Sequence, residues 1–183
     1  MKFTATLAVL AALLAACNPQ PRPEQRAAVA TPSPTPAGLP PLKITGHGKA
    51  GAPARFSEQT GNRKLYEGTA RSYVSHSAQN MAQATFQEAT VTFYDKDGTS
   101  LTAIAPQATV DDRTKQVTLS GGVHAKTSSG ATLTCDRLSF DRTTSLVTGT
   151  GNVRMTALQN GQREVLTGNT FTSDIKLTRM VMK

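Results

Sequence analysis

The side chains best placed to do chemistry in this 183-residue chain are two cysteines, three histidines and a set of aspartates. Hydrolysis needs a nucleophile with a base in reach, and metal chemistry needs ligands at a fixed spacing. His47, His76 and His124 stand far apart, with no Glu-x-x-His or similar pattern, and there is no Gly-x-Ser-x-Gly. Asp95-Lys96-Asp97-Gly98 begins like a calcium loop but lacks the later ligands and the closing glutamate. An Asp-Gly step between alternating apolar runs is instead a hairpin turn, because glycine accepts positive φ. Cys135 lies in mid-strand on the apolar side of its run, with His124 its only sequence neighbour of catalytic type. A small buried filler suits such a thiol better than a nucleophile. The acidic pairs all fall at turns. These residues point away from an enzyme, and they imply no metal or cofactor.

The elements that position them form a repeated scaffold. Gly130 to Met155, GATLTCDRLSFDRTTSLVTGTGNVRM, reads as strand, polar turn and strand, with Leu133 and Cys135 facing one way and Thr132 and Thr134 the other. Asp136-Arg137 kinks the first strand, and Gly149 and Gly151 break the second. Gly98-x-x-Leu101 and Gly130-x-x-Leu133 open two copies, and Gly161, with a less regular Leu166, opens a third. Gly121-Gly122-Val123 and Gly151-Asn152-Val153 mark matching ends, with the acidic turns Asp111-Asp112-Arg113 and Asp141-Arg142 within the copies. Starts and ends alike recur with a period of roughly 30 residues, which means stacked units, none able to bury its apolar face alone. The 27 threonines, mostly in alternating runs, favour strand over helix. Pro106 marks an edge or a bend, and Gly121-Gly122 permit a corner or bulge. Ile175 to Met182 reads as a final strand with an open edge, on which Ile175 and Leu177 would dock a partner.

The N-terminus is a targeting segment. Leu7 to Ala16 is an unbroken apolar run behind Lys2, far short of the ~20 residues that span a bilayer as a helix. Residues 1–16 read as a signal peptide. Leu14-Ala15-Ala16-Cys17 resembles the lipobox of bacterial lipoproteins, in which the cysteine is acylated and becomes the new N-terminus. An ordinary signal peptide that happens to contain Cys17 is the alternative. Several acyl chains would anchor stably, at ~0.8 kcal/mol per buried CH₂. Residues 17–55 are Pro-rich and read as an extended tether, spanning up to ~100 Å at ~3.1 Å per residue, with Leu42-Lys43-Ile44 a candidate short strand near its end. The domain proper is expected over residues 56–183. Net charge is +8 for the whole chain and +4 from Gly61 onward. An exported protein meets no genome, so nucleic acid is not a partner. Anionic lipid headgroups or phosphorylated glycolipid suit the charge, and so does a mildly basic soluble surface.

The run Gly130-Ala-Thr-Leu-Thr-Cys-Asp-Arg-Leu-Ser-Phe-Asp141 followed by Gly151-Asn-Val153 resembles the repeat of the OstA-like domains, as does the copy from Asp97 to Val123, where Gly122 replaces the usual asparagine. These domains occur in periplasmic components of the lipopolysaccharide transport bridge. The tethered single-domain layout most resembles the LptC-like members, which join the inner-membrane transporter to the soluble bridge protein. The resemblance implies an all-β fold, a jellyroll of stacked antiparallel strands with an open V-shaped apolar cleft. It implies a non-enzymatic carrier in the periplasm, lipid-anchored to the inner membrane, that passes the acyl chains of lipopolysaccharide or a related glycolipid to a bridge protein with similar domains. Many members use a transmembrane helix where this chain has a lipobox. Leu101, Val117, Leu119, Val123, Leu133, Cys135, Leu138, Phe140, Val153 and Met155 are the candidates to line the groove. Filling a sandwich core is an equal alternative for any one of them. A structural envelope lipoprotein without lipid cargo is the competing function.

Overall fold

The computed structural model describes residues 42–49, 51–78, 81–159 and 162–183. Cys17, with the signal segment and most of the Pro-rich stretch, lies outside the described residues. Those described fold into eleven antiparallel strands and no helix. They are β1 Leu42–His47, β2 Ala54–Thr60, β3 Arg63–Ala70, β4 Ser72–Ala78, β5 Met81–Tyr94, β6 Ser100–Asp111, β7 Gln116–Thr127, β8 Thr132–Asp141, β9 Leu146–Gln159, β10 Gln162–Asp174 and β11 Met180–Met182. Neighbours in sequence are neighbours in the sheet from β4 through β11, with β1 on the outer side of β4. Among the described residues the sheet therefore begins at Leu42, and the end of the stretch read as tether is strand. Its residues alternate apolar or small (Leu42, Ile44, Gly46) with polar (Lys43, Thr45, His47), Leu42 and Ile44 registering with Ser77 and Ser75.

Two kinds of turn alternate. At one end, Asp111 and Asp141 close their strands and accept backbone N–H groups two and three residues on, at 2.8–3.0 Å. Lys115 and Ser145, four residues after each aspartate, both take positive φ. At the other end Gly61, Gly98 and Gly130 supply the positive φ. These are the aspartate end and the glycine end.

Every long strand is bent near its middle. Glu88 has φ +52 opposite Pro106, and register shifts follow at Ile104/Gln107, Ser120/Val123, Thr134/Arg137 and Gly168/Thr170. Gly121 and Gly122, both at φ +93, accept the bend that Pro106 imposes from the next strand, and a Cβ on Gly121 would lie 3.2 Å from the proline ring. Gly149 and Gly151 do not break their strand: β9 runs through both and bends at Gly151-Asn152. The aligned bends form a crease that folds the sheet into two layers. Phe93, near the glycine end of β5, meets Phe140, at the aspartate end of β8, with ring centroids 4.6 Å apart. In a flat sheet these rings would lie tens of ångströms apart, at ~3.3 Å per residue and ~4.8 Å per strand.

Alternation then sorts the side chains. One outward row reads Thr85, Thr109, Thr118, Ser139, Thr148, Thr172, with hydroxyl contacts at 3.4 Å between Thr118 and Ser139 and between Thr148 and Thr172. The inward rows of both layers merge into one apolar core. Burying a Phe or Leu contributes about 1.5–3 kcal/mol, so this core is the main source of stability.

Candidate functional site

The site is the apolar interior between the layers. One inward row crosses nine strands, each residue registered with the next: Ile44, Ser75, Ala84, Val110, Val117, Phe140, Val147, Ser173, Met180. Its middle, Val117 to Ser173, is buried, while toward β1 it opens until Ile44 is 47% exposed and nearby Leu42 is 57% exposed. On the facing layer a second row runs Phe56, Gly68, Val91, Ala103, Ala125, Leu133, Met155, Leu166, and it opens at Leu166, which is 38% exposed. The interior is thus a continuous apolar path, packed in the middle and open at opposite ends of the two layers.

All ten groove candidates belong to this interior core. Leu101, Val117, Leu119, Val123, Leu133, Cys135, Leu138, Phe140, Val153 and Met155 are 0–4% exposed. Phe93, Phe140 and Phe171 are fully buried in the same core. Phe171 packs where β9 has only Gly149, and a Cβ there would come 2.7 Å from the ring and 3.4 Å from the Cys135 sulfur. Burial, with Asp136 adding to it, pushes the Cys135 thiol up to about 11, so at neutral pH it is protonated. His47, His76 and His124 are exposed on β1, β4 and β7, and among the described residues no group of three His, Cys, Asp or Glu could hold a metal. The residues missed in the sequence are those on the open path, Ser75, Ala84 and Val110. Their small size and alternation were the available signal.

Ile175 and Leu177 are corrected. Residues 175–179 form a turn, not a strand, and both side chains drop into the core at 1% and 3% exposure. The Asp174 carboxylate accepts the Thr178 N–H at 2.9 Å and its hydroxyl at 2.8 Å, which makes this a third aspartate-capped turn. Among the described residues, the free edge at this end of the sheet belongs to β11 instead.

Two ion-pair clasps hold the layers together where the aspartate and glycine ends meet. In the first, Arg142, on the β8–β9 turn, pairs with Glu58 of β2 on the facing layer. Its second nitrogen donates to the Asp111 carbonyl and to Asp112, each at 3.0 Å. The side chain of Arg142 is 5% exposed and that of Glu58 31%. Burial disfavours the charged guanidinium, and hydrogen bonds to Glu58 and Asp112 outweigh it, so the proton is held more tightly than usual. Burial and the adjacent Glu58 raise the Tyr66 phenol well above its ordinary value. In the second clasp, Lys176, between the buried Ile175 and Leu177, reaches the β5–β6 hairpin, with Asp97 at 2.5 Å and Asp95 at 3.7 Å. Lys176 and Asp97 are 36% and 50% exposed. The Asp-Gly turn expected as a hairpin therefore also receives a lysine from the other end of the sheet.

No helix among the described residues is long and apolar enough to cross a membrane. No curated protein sequence matches the chain. The profile of a family described as "Lipopolysaccharide-assembly, LptC-related" matches residues 60–183, which runs from the end of β2 through β11 and takes in the crease and both turns that bear the clasp cations. A creased, doubly layered all-β sheet with an apolar interior is the jellyroll expected of that match. The chain belongs to the LptC-related family of lipopolysaccharide assembly, whose members are periplasmic transport components associated with the inner membrane.

Proposed function

We propose that the interior carries the acyl chains of lipopolysaccharide across the periplasm, receiving them at the open β1 side and delivering them toward β10 and β11. The observation that supports this most is the inward row from Ile44 to Met180, apolar or small at every position and exposed at its β1 end. Transferring ten methylenes through water costs ~8 kcal/mol, so a carrier needs an unbroken apolar path. The partners on this reading are the inner-membrane transporter complex on one side and a bridge protein with similar domains on the other. The free edges of β1 and β11 among the described residues suit strand addition by such domains. Acylation of Cys17 would hold the protein at the inner membrane, and the proline-rich segment after it would act as the tether.

The packed middle of the interior favours a second reading, a scaffolding envelope lipoprotein that carries nothing. Extraction of the full chain purified from membranes separates the two. Lipopolysaccharide recovered in near-equal amount to the chain supports the carrier. Lipid-free protein, from cells with ample lipopolysaccharide, supports the scaffold.

A further inference from the structure

The closed interior must open somewhere, and the two clasps are not equivalent barriers. The Arg142 side chain is buried, has three acceptors on two layers and lies close to buried Tyr66. The Lys176 clasp is exposed on both sides and stands on a short turn. That turn contains Leu177 at φ +59, a left-handed conformation in which a Cβ crowds the following carbonyl. Beyond the turn, Met180 to Met182 pair with β10, and Lys183 adds three backbone hydrogen bonds to Asn169 and Thr170 at 2.9–3.0 Å. The Arg142 turn carries the same strain at Ser145 and both turns are aspartate-capped, so the difference is that the cation of this one sits in solvent, which makes it the less secured side of the seam.

We propose that residues 175–179 form a movable cap, latched by Lys176 to Asp97 and Asp95, and that the interior opens here while the Arg142 side stays shut as the hinge. Lifting the cap withdraws Ile175 and Leu177 from the core cluster that also holds Phe171 and Cys135. The cap deepens the carrier reading and rests on it for its purpose, since acyl chains are what the opened interior would admit.

The test needs no lipid. In the full chain with Cys17→Ser, Cys135 is the sole thiol, and its labelling by a maleimide in native buffer reports opening. The expected rate is independent of urea below the unfolding transition, as local opening requires. Lys176→Gln should label roughly two- to five-fold faster, the range that an exposed ion pair can supply. Lys176→Arg, which restores the pair, should return the parent's rate. A Lys176→Gln rate equal to the parent's, or rates that climb steeply with urea from zero in both proteins, would overturn the cap. Uptake of a pyrene-labelled acyl chain then separates the two claims. Faster labelling without uptake by either protein keeps the cap and removes the carrier. Equal uptake by both, with unchanged labelling, removes the cap and keeps the carrier.

Discussion

The Arg142 and Lys176 clasps do the same geometric task with different physics. Both carry a cation from an aspartate-capped turn to acids on the facing layer. Arg142 does so with its own side chain buried, where a planar guanidinium can satisfy the partly exposed Glu58 and Asp112 and a carbonyl together. Lys176 does so in solvent, where water competes for the same charges. A buried pair is costly to break by removing one partner, because the other is stranded. An exposed pair is cheap to break, because each charge regains its hydration. One layer-to-layer contact is therefore built to last and the other to yield.

Removing the buried cation should give the largest effect. Arg142→Ala strips Glu58 of its partner, while Asp112 keeps Lys115 at 2.8 Å, and should cost about 3 kcal/mol in urea unfolding. That is the low end for a buried pair, because both acids keep some hydration. A loss no larger than that of an exposed pair would make the two clasps alike and end the contrast. Next comes the cap's apolar anchor. Leu177→Ala should cost about 2 kcal/mol, from burial lost with the left-handed strain retained. It should also speed Cys135 labelling more than Lys176→Gln does. If Leu177→Ala slows labelling or leaves it unchanged, the side chain does not hold the cap.

Smaller still is the charge itself: Lys176→Gln should lower the neutral-pH melting temperature by less than either of these. Its pH dependence has a defined sign. The hydrogen bond from Lys176, followed by those from Thr99, holds the Asp97 carboxyl at about 2, below its ordinary 3.8. A depressed carboxyl contributes stability that is complete above 3.8 and is lost as pH falls through 2. The melting-temperature gap between parent and Lys176→Gln should therefore be present at neutral pH and vanish once pH drops below that lowered value. A gap that grows on acidification would contradict the pairing.

The sequence showed the local chemistry well and the long-range contacts poorly. Pro106 and Gly121-Gly122 announced the bend, and Asp97-Gly98 its hairpin, because φ and hydrogen-bonding limits act within a few residues. The threonines predicted strands and turned out to line the outer face. Ile175 to Met182 misled, because its alternation fits a strand as well as it fits a turn with two buried side chains. The signal against a strand was Asp174, which follows Asp141 at nearly the interval by which Asp141 follows Asp111. Arg142 was legible only as a turn residue. Its equivalent one repeat earlier is Asp112, an opposite charge, but nothing local says that Glu58 of β2 would reach it. Whether Leu133 or Phe140 borders a cleft or fills a core could not be read at all, since the same apolar side chain serves both and only the fold at the crease decides.

The most direct test of the acyl-chain path compares two neighbouring residues of β6 that face opposite ways, Val110 on the inward row and Thr109 on the outward one. A photo-crosslinking side chain placed at each in turn, in cells making lipopolysaccharide, should capture the lipid at position 110 and not at 109. Equal capture at both, or capture at 109 alone, would mean that the lipid does not travel between the layers.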